Sequence, residues 1–215
     1  MRNTQKIKRL AIIRYTLFLT FLMSLVLLSL VLKEEGRALL INEGGVIESA
    51  SALAYFLCAV FIAYKRKVAE LKHFFILIIL FMLRELDFHK RFTTMGISKI
   101  KFYISEDVPL IEKVVGTLVV LLFFYVCISI LYRYSKVFFL GLKNHSGVAF
   151  DSLLAIILLV VSKSLDGASR KLEGFGISLS QAMSMHAMAV EEILELGIPI
   201  AIFMALTSYC KNTIP

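Results

Sequence analysis

Apolar residues run along this chain in long stretches, and short polar segments separate them. From Ala11 to Leu32 a single charge, Arg14, interrupts 22 residues. A helix rises about 1.5 Å per residue, so about 20 apolar residues cross the hydrocarbon core of a bilayer. Comparable stretches predict six helical spans, roughly 11–32, 46–64, 72–91, 110–132, 147–165 and 182–208. The third and sixth are interrupted by charge. Arg84, Glu85 and Asp87 follow the ten-residue apolar run Phe74 to Leu83, and Glu191, Glu192 and Glu195 lie within the last stretch.

The connecting segments carry turn signals. Asn42-Glu43-Gly44-Gly45 reads as a turn, and Ser178 with Gln181 matches a capping box that opens the last helix. Gly197 and Pro199 predict a kink in that helix. Tyr134 to His145, mixed aromatic and basic, reads as an amphipathic surface helix. No internal repeat or linker divides the chain. The expected fold class is all-α, a polytopic integral membrane protein with about six transmembrane helices in one bundle, and residues 1–215 form a single membrane domain.

Composition agrees: 59% of residues are hydrophobic and mean hydropathy is +0.81. A soluble domain has about 45–50% apolar residues. The net charge of +8 arises from basic residues placed as membrane orientation requires, so no nucleic-acid partner is expected. Cys58, Cys127 and Cys210 are far apart and contain no C-x-x-C pair, which gives no disulfide framework. With a cytoplasmic N-terminus, six spans place 13 of the 24 basic residues but only two of the 16 acids, Glu70 and Asp151, on the cytoplasmic side. The basic bias of the short loops predicts both termini in the cytoplasm and a plasma-membrane, bacterial inner-membrane setting. The remaining 14 acids crowd the outer side, and acids have little orienting force, so their placement needs another cause.

Depth supplies one. Measured from Lys72, Arg84 lies about 18 Å along its helix; measured back from Tyr209, Glu195 and Glu192 lie about 21 and 26 Å along theirs. Glu48, Ser51 and Tyr55 form one stripe of the second span, and Lys163 and Asp166 end the fifth. On a continuous third helix, Arg84 and Asp87, Asp87 and Arg91, and Glu85 and His89 are neighbours at i,i+3 or i,i+4. Ionisable groups at membrane depth are costly and mark functional sites by default. The candidate ligand-binding or proton-handling residues are therefore Arg84, Glu85, Asp87, His89, Lys163, Asp166, Glu192 and Glu195.

Three functions use such a set. The first is binding or handling of a polar ligand or lipid headgroup in the outer half of the membrane: Arg84 and Lys163 would engage anionic groups and the acids a proton or cation. The second is a non-catalytic sensor, immunity protein or complex subunit whose charges form a structural ion-pair network. The third is a metal-dependent intramembrane hydrolase with His89 and His186 as ligands, for which Zn is the candidate metal although no H-x-x-x-H or H-E-x-x-H spacing occurs. The layout of acids, serines and histidines loosely resembles that of the seven-span alkaline ceramidase-like hydrolases, whose paired terminal histidines this chain lacks. No motif compels an enzyme. The expected partners are the lipid bilayer and, as an open alternative, a homo-oligomer or membrane complex.

Overall fold

A computed structural model describes residues 2–41, 44–97 and 99–212, with side chains except at 2–8, 34, 35, 38, 41, 89, 90 and 212. The described residues form helices and no strands. In chain order these are α1 (Arg2–Val31), α2 (Glu34–Ile41), α3 (Val46–Tyr64), α4 (Lys72–Glu85), α5 (Phe88–Arg91), α6 (Ile100–Ile104), α7 (Leu110–Lys143), α8 (Gly147–Leu165), α9 (Ala168–Glu173) and α10 (Gln181–Asn212). Five of them, α1, α3, α7, α8 and α10, are long and apolar enough to cross a membrane.

α10 is the central element and packs against α8, α3 and α1. Ala189, Ile193 and Ala201 are fully buried along it. Gly197 permits the closest approach: a Cβ there would meet Leu22 of α1 at 3.1 Å and Leu158 of α8 at 3.2 Å. α1 and α7 lie outside and expose large apolar side chains, among them Leu17, Leu27, Leu118 and Tyr132. Such a surface is stable against hydrocarbon rather than water.

Long helices consecutive in the chain alternate in direction, whereas α3 and α10 run parallel, with Cys58 against Pro199 and Phe61 against Phe203. At the end of the bundle that carries the first turns of α1, Arg14 reaches Asp151 at the start of α8 and Ser208 near the end of α10. The turn between α3 and α4 sits at the same end, where Tyr209 donates to Glu70 and Phe74 packs against Tyr134 of α7. Two helices there close with the same backbone device. Lys67 N–H donates to Ile62 O and Arg66 N–H to Ala63 O, while Ser146 N–H donates to Gly141 O and His145 N–H to Leu142 O. These are Schellman closures, and Arg66 (φ 54°) and His145 (φ 53°) occupy the left-handed position usually held by glycine.

Several local expectations change. α4 stops at Glu85, and Asp87 (φ 49°) turns the chain into the four-residue α5, so no continuous helix runs over 72–91 and Glu85 and His89 fall on separate helices, while Asp87 and Arg91 remain within one helical turn. The apolar run ends at Leu83, and an aspartate tolerates the left-handed conformation that ends the helix. Tyr134 to Lys143 continues α7 rather than forming a separate surface helix, since no residue there breaks the backbone ladder. Gly141 faces Ala149 of α8 so closely that a Cβ would lie 2.9 Å from the alanine Cβ. Ser180, not Ser178, caps α10: its Oγ accepts Met183 N–H at 3.3 Å. α10 remains helical through Pro199. At the predicted 42–45 turn, Gly44 has φ +78°, and Asn42 and Glu43 lie outside the described residues.

Candidate functional site

The end of the bundle opposite Arg14 holds a run of charges drawn from three helices. Glu195 projects from α10 and is buried, 6% exposed. Arg84 at the end of α4 places Nη2 2.6 Å from Glu195 Oε2 and 3.2 Å from Glu85 Oε1. Lys163 near the end of α8 places Nζ 2.9 Å from Glu195 Oε1 and 3.3 Å from Asp166 Oδ2. The run therefore reads Glu85, Arg84, Glu195, Lys163, Asp166. It is closed to solvent at Glu85 and Glu195 and open at Lys163 and Asp166, whose side chains are 41% and 50% exposed.

Further carboxylates join it. Glu192, one turn from Glu195 on α10, lies within Coulombic range of Glu195, Glu85, Glu191 and Glu48. Glu191 lies within range of Asp166 and Glu195. Glu48, in the first turn of α3, accepts Gly44 N–H from the segment ahead of its helix and lies within Coulombic range of Glu85 and Glu192. Tyr55, two turns further along α3 and 2% exposed, adjoins Glu85, Arg84 and Glu195. Ser51 lies between Glu48 and Tyr55 on that face, is 1% exposed, and its Oγ has no hydrogen-bond partner.

Of the candidates read from sequence, Arg84, Glu85, Lys163, Asp166 and Glu195 meet directly, and Glu192 stands beside them. Asp87 lies just past the end of α4, in the turn before α5. The side chain of His89 lies outside the described residues. His186 is on α10, more than two turns from Glu195, with a buried Nδ1 that has no hydrogen-bond partner. Among the described residues no three His, Cys, Asp or Glu side chains are arranged to hold a metal ion.

The first-turn end of the bundle contains a polar cluster that sequence reasoning passed over. Asp151, fully buried in α8, accepts two hydrogen bonds from Arg14 Nη2, at 2.6 and 2.9 Å, one from Tyr15 Oη at 2.7 Å and one from Ser208 Oγ at 2.7 Å. The signal was present: Arg14 and Asp151 are opposite charges set inside or beside apolar stretches. Nearby, Glu70 accepts from Lys67 Nζ at 2.7 Å, and that bond, together with the one from Tyr209, holds the Glu70 carboxyl below its usual range. An apolar groove of about 410 Å³ between α3 and α10 is lined by Ala54, Leu57, Phe61, Pro199, Ile200 and Phe203, with Tyr64 at one end.

Compared with protein-family models, curated proteins and solved structures, the chain matches none. Its class rests on its own features: an all-helical bundle with five helices of membrane-crossing length and a charged cluster at one end.

Proposed function

We propose that the protein is a six-span integral membrane protein with both termini in the cytoplasm of a bacterial cell, whose outer-end cluster binds the cationic part of a polar ligand or lipid headgroup, or handles a proton. The sixth span in this reading is α4. Its 14 residues reach about 21 Å, and α5 continues the chain toward the outer interface. α4 begins beside the basic turn of Lys65, Arg66 and Lys67 and ends at Arg84, so the chain reverses direction at each long helix. The basic turn and the basic last turns of α7 then lie on the cytoplasmic side, as short-loop charge bias requires. The exposed apolar faces of α1 and α7 meet lipid or a second membrane subunit.

One observation carries the functional reading: Glu192 is surrounded by Glu195, Glu85, Glu191 and Glu48, while Arg84 and Lys163, the cations nearby among the described residues, are engaged by Glu195. Capture of an anionic headgroup by Arg84 and Lys163 would require breaking those contacts. Attraction of positive charge requires no such step. The ion-pair network also favours a second reading, a non-catalytic subunit in which Arg84, Glu195 and Lys163 lock α4, α10 and α8 together.

Folded yield and thermal unfolding of Glu192→Gln and Arg84→Gln separate the two. Removing a like-charged neighbour leaves Glu192→Gln as stable as the parent or more so. Arg84→Gln strands Glu195 and Glu85 and loses about 1–3 kcal/mol, less than a fully buried pair because Arg84 is partly exposed. Equal loss of folded protein in both variants establishes the scaffold reading instead.

A further inference from the structure

The apolar groove between α3 and α10 opens on the outside of the bundle. Leu57, Val60, Tyr64 and Phe203 line it and are exposed, and Phe61 meets Phe203 edge to face at 5.1 Å. Because α3 and α10 run parallel here, the groove follows both helix axes. From Ala54 to Tyr64 it extends about 15 Å. That is about half the hydrocarbon thickness of a bilayer, the depth of one leaflet. The Pro199 carbonyl on its wall accepts from the Cys58 thiol at 3.4 Å, and the lining is apolar apart from the Tyr64 hydroxyl at one end. In a membrane such a recess takes hydrocarbon rather than water.

A second observation distinguishes the lipid. At the Tyr64 end the chain leaves α3 through Lys65, Arg66 and Lys67. Lys65 Nζ lies 5.8 Å from the centre of the Phe61 ring and 5.5 Å from that of Tyr64, so its ammonium stands over two of the groove's own side chains. Lys67 is engaged, donating to Glu70 and lying over the Tyr209 ring. Lys65 and Arg66 are exposed, and neither makes an ion pair with a described residue. The chain termini, residues 1–8 and 212–215, contain no aspartate or glutamate that could supply one. Two positive charges at one end of the groove therefore have no carboxylate partner among the described residues.

We propose that the groove between α3 and α10 seats one acyl chain of an anionic phospholipid, whose headgroup phosphate is held by Lys65 and Arg66. Basic groups beside a gap between membrane helices recognise anionic headgroups in this way. A zwitterionic lipid offers the same chain but no net charge for the two cations to attract. The groove is also narrow: about 410 Å³ over about 15 Å leaves a mean cross-section of about 27 Å², room for a single extended chain, whereas a helix measures about 10 Å across. This site depends on the membrane setting of the long helices and is independent of the Glu195 cluster, which lies toward the other end of the bundle.

The chain contains no tryptophan, so an introduced indole reports alone. Phe203→Trp places one in the groove, and Ile128→Trp places one on the exposed face of α7. Full-length protein carrying either substitution is reconstituted in phosphatidylcholine vesicles that contain, at equal mole fraction, acyl-brominated phosphatidylglycerol or acyl-brominated phosphatidylcholine, and quenching of the indole is measured. The groove indole is quenched at a lower mole fraction of brominated phosphatidylglycerol than of brominated phosphatidylcholine, and the α7 indole is quenched alike by both. Lys65→Gln and Arg66→Gln lower the preference at position 203 about fivefold for each cation removed and leave position 128 unchanged. Equal quenching by the two lipids at position 203 overturns the site, as does a preference that survives the double substitution. Quenching at position 128 but by neither lipid at position 203 also overturns it, the result expected where a second copy of the chain covers the groove. An indole quenched at neither position overturns the site together with the membrane setting itself.

Discussion

Asp151 shows how much a single residue can organise in this bundle. Its carboxylate is fully buried and receives four hydrogen bonds from three side chains on two other helices. Arg14, 31% exposed, therefore ties α1 to α8 through a charge that has no other counter-ion among the described residues. Asp151→Ala is expected to cost about 3 kcal/mol, because it leaves the guanidinium unpaired in an apolar setting. Arg14→Leu combined with Asp151→Leu restores much of that loss, since a matched apolar pair replaces a buried ion pair at little cost. Unfolding in detergent micelles measures the coupling, and a double variant that loses the sum of the two single losses would show that the pair is not coupled. Arg14 and Asp151 are 137 positions apart, so no helical periodicity links them. Arg84, Glu85 and Glu195, by contrast, were legible as one cluster because counting residues from each helix end places them at a common depth.

Among the elements, the hairpin turns were the least legible. Turn prediction looks for glycine, and the closures after α3 and α7 place Arg66 and His145 in the left-handed position instead. A non-glycine residue there costs about 1–2 kcal/mol, while glycine costs about 0.5–1 kcal/mol through the entropy of the unfolded chain. Arg66→Gly and His145→Gly are thus each expected to stabilise the protein by roughly 0.5–1 kcal/mol. A lower melting temperature in both would show that the Arg66 and His145 side chains contribute more than the strain they impose. α4 illustrates the opposite limit. Its apolar run was evident, but hydrophobicity could not reveal that Asp87 ends the helix, because Arg84 is drawn inward by its contact with Glu195 of α10. Cap position followed the same pattern: Ser178 and Ser180 are both sound caps by chemistry, and the path of the chain into α10 selects the second.

For the whole molecule, alternation of helix direction makes a topological prediction. A cysteine introduced at Lys101 is expected to react with a membrane-impermeant thiol reagent from the outer face of intact cells, and one at Lys65 only after the membrane is opened. Both positions are exposed. Reaction of both from the same face would remove α4 as a crossing and leave five spans. The two ends of the bundle also differ in electrostatic character. The first-turn end pairs each of its two acids, Asp151 and Glu70, with a cation, whereas the opposite end gathers six carboxylates around Arg84 and Lys163.

Sequence by itself determined the class of fold, the long helices and the depth of the charges, because bilayer thickness and helical rise convert residue number directly into position. It also predicted that acids crowd together, and six carboxylates do gather at one end of the bundle. Tertiary structure alone decided which charges neutralise one another: Glu195 takes both Arg84 and Lys163, and Asp151 takes Arg14. Periodicity orders side chains around one helix, whereas pairing between helices depends on their packing and relative rotation, which no local pattern encodes.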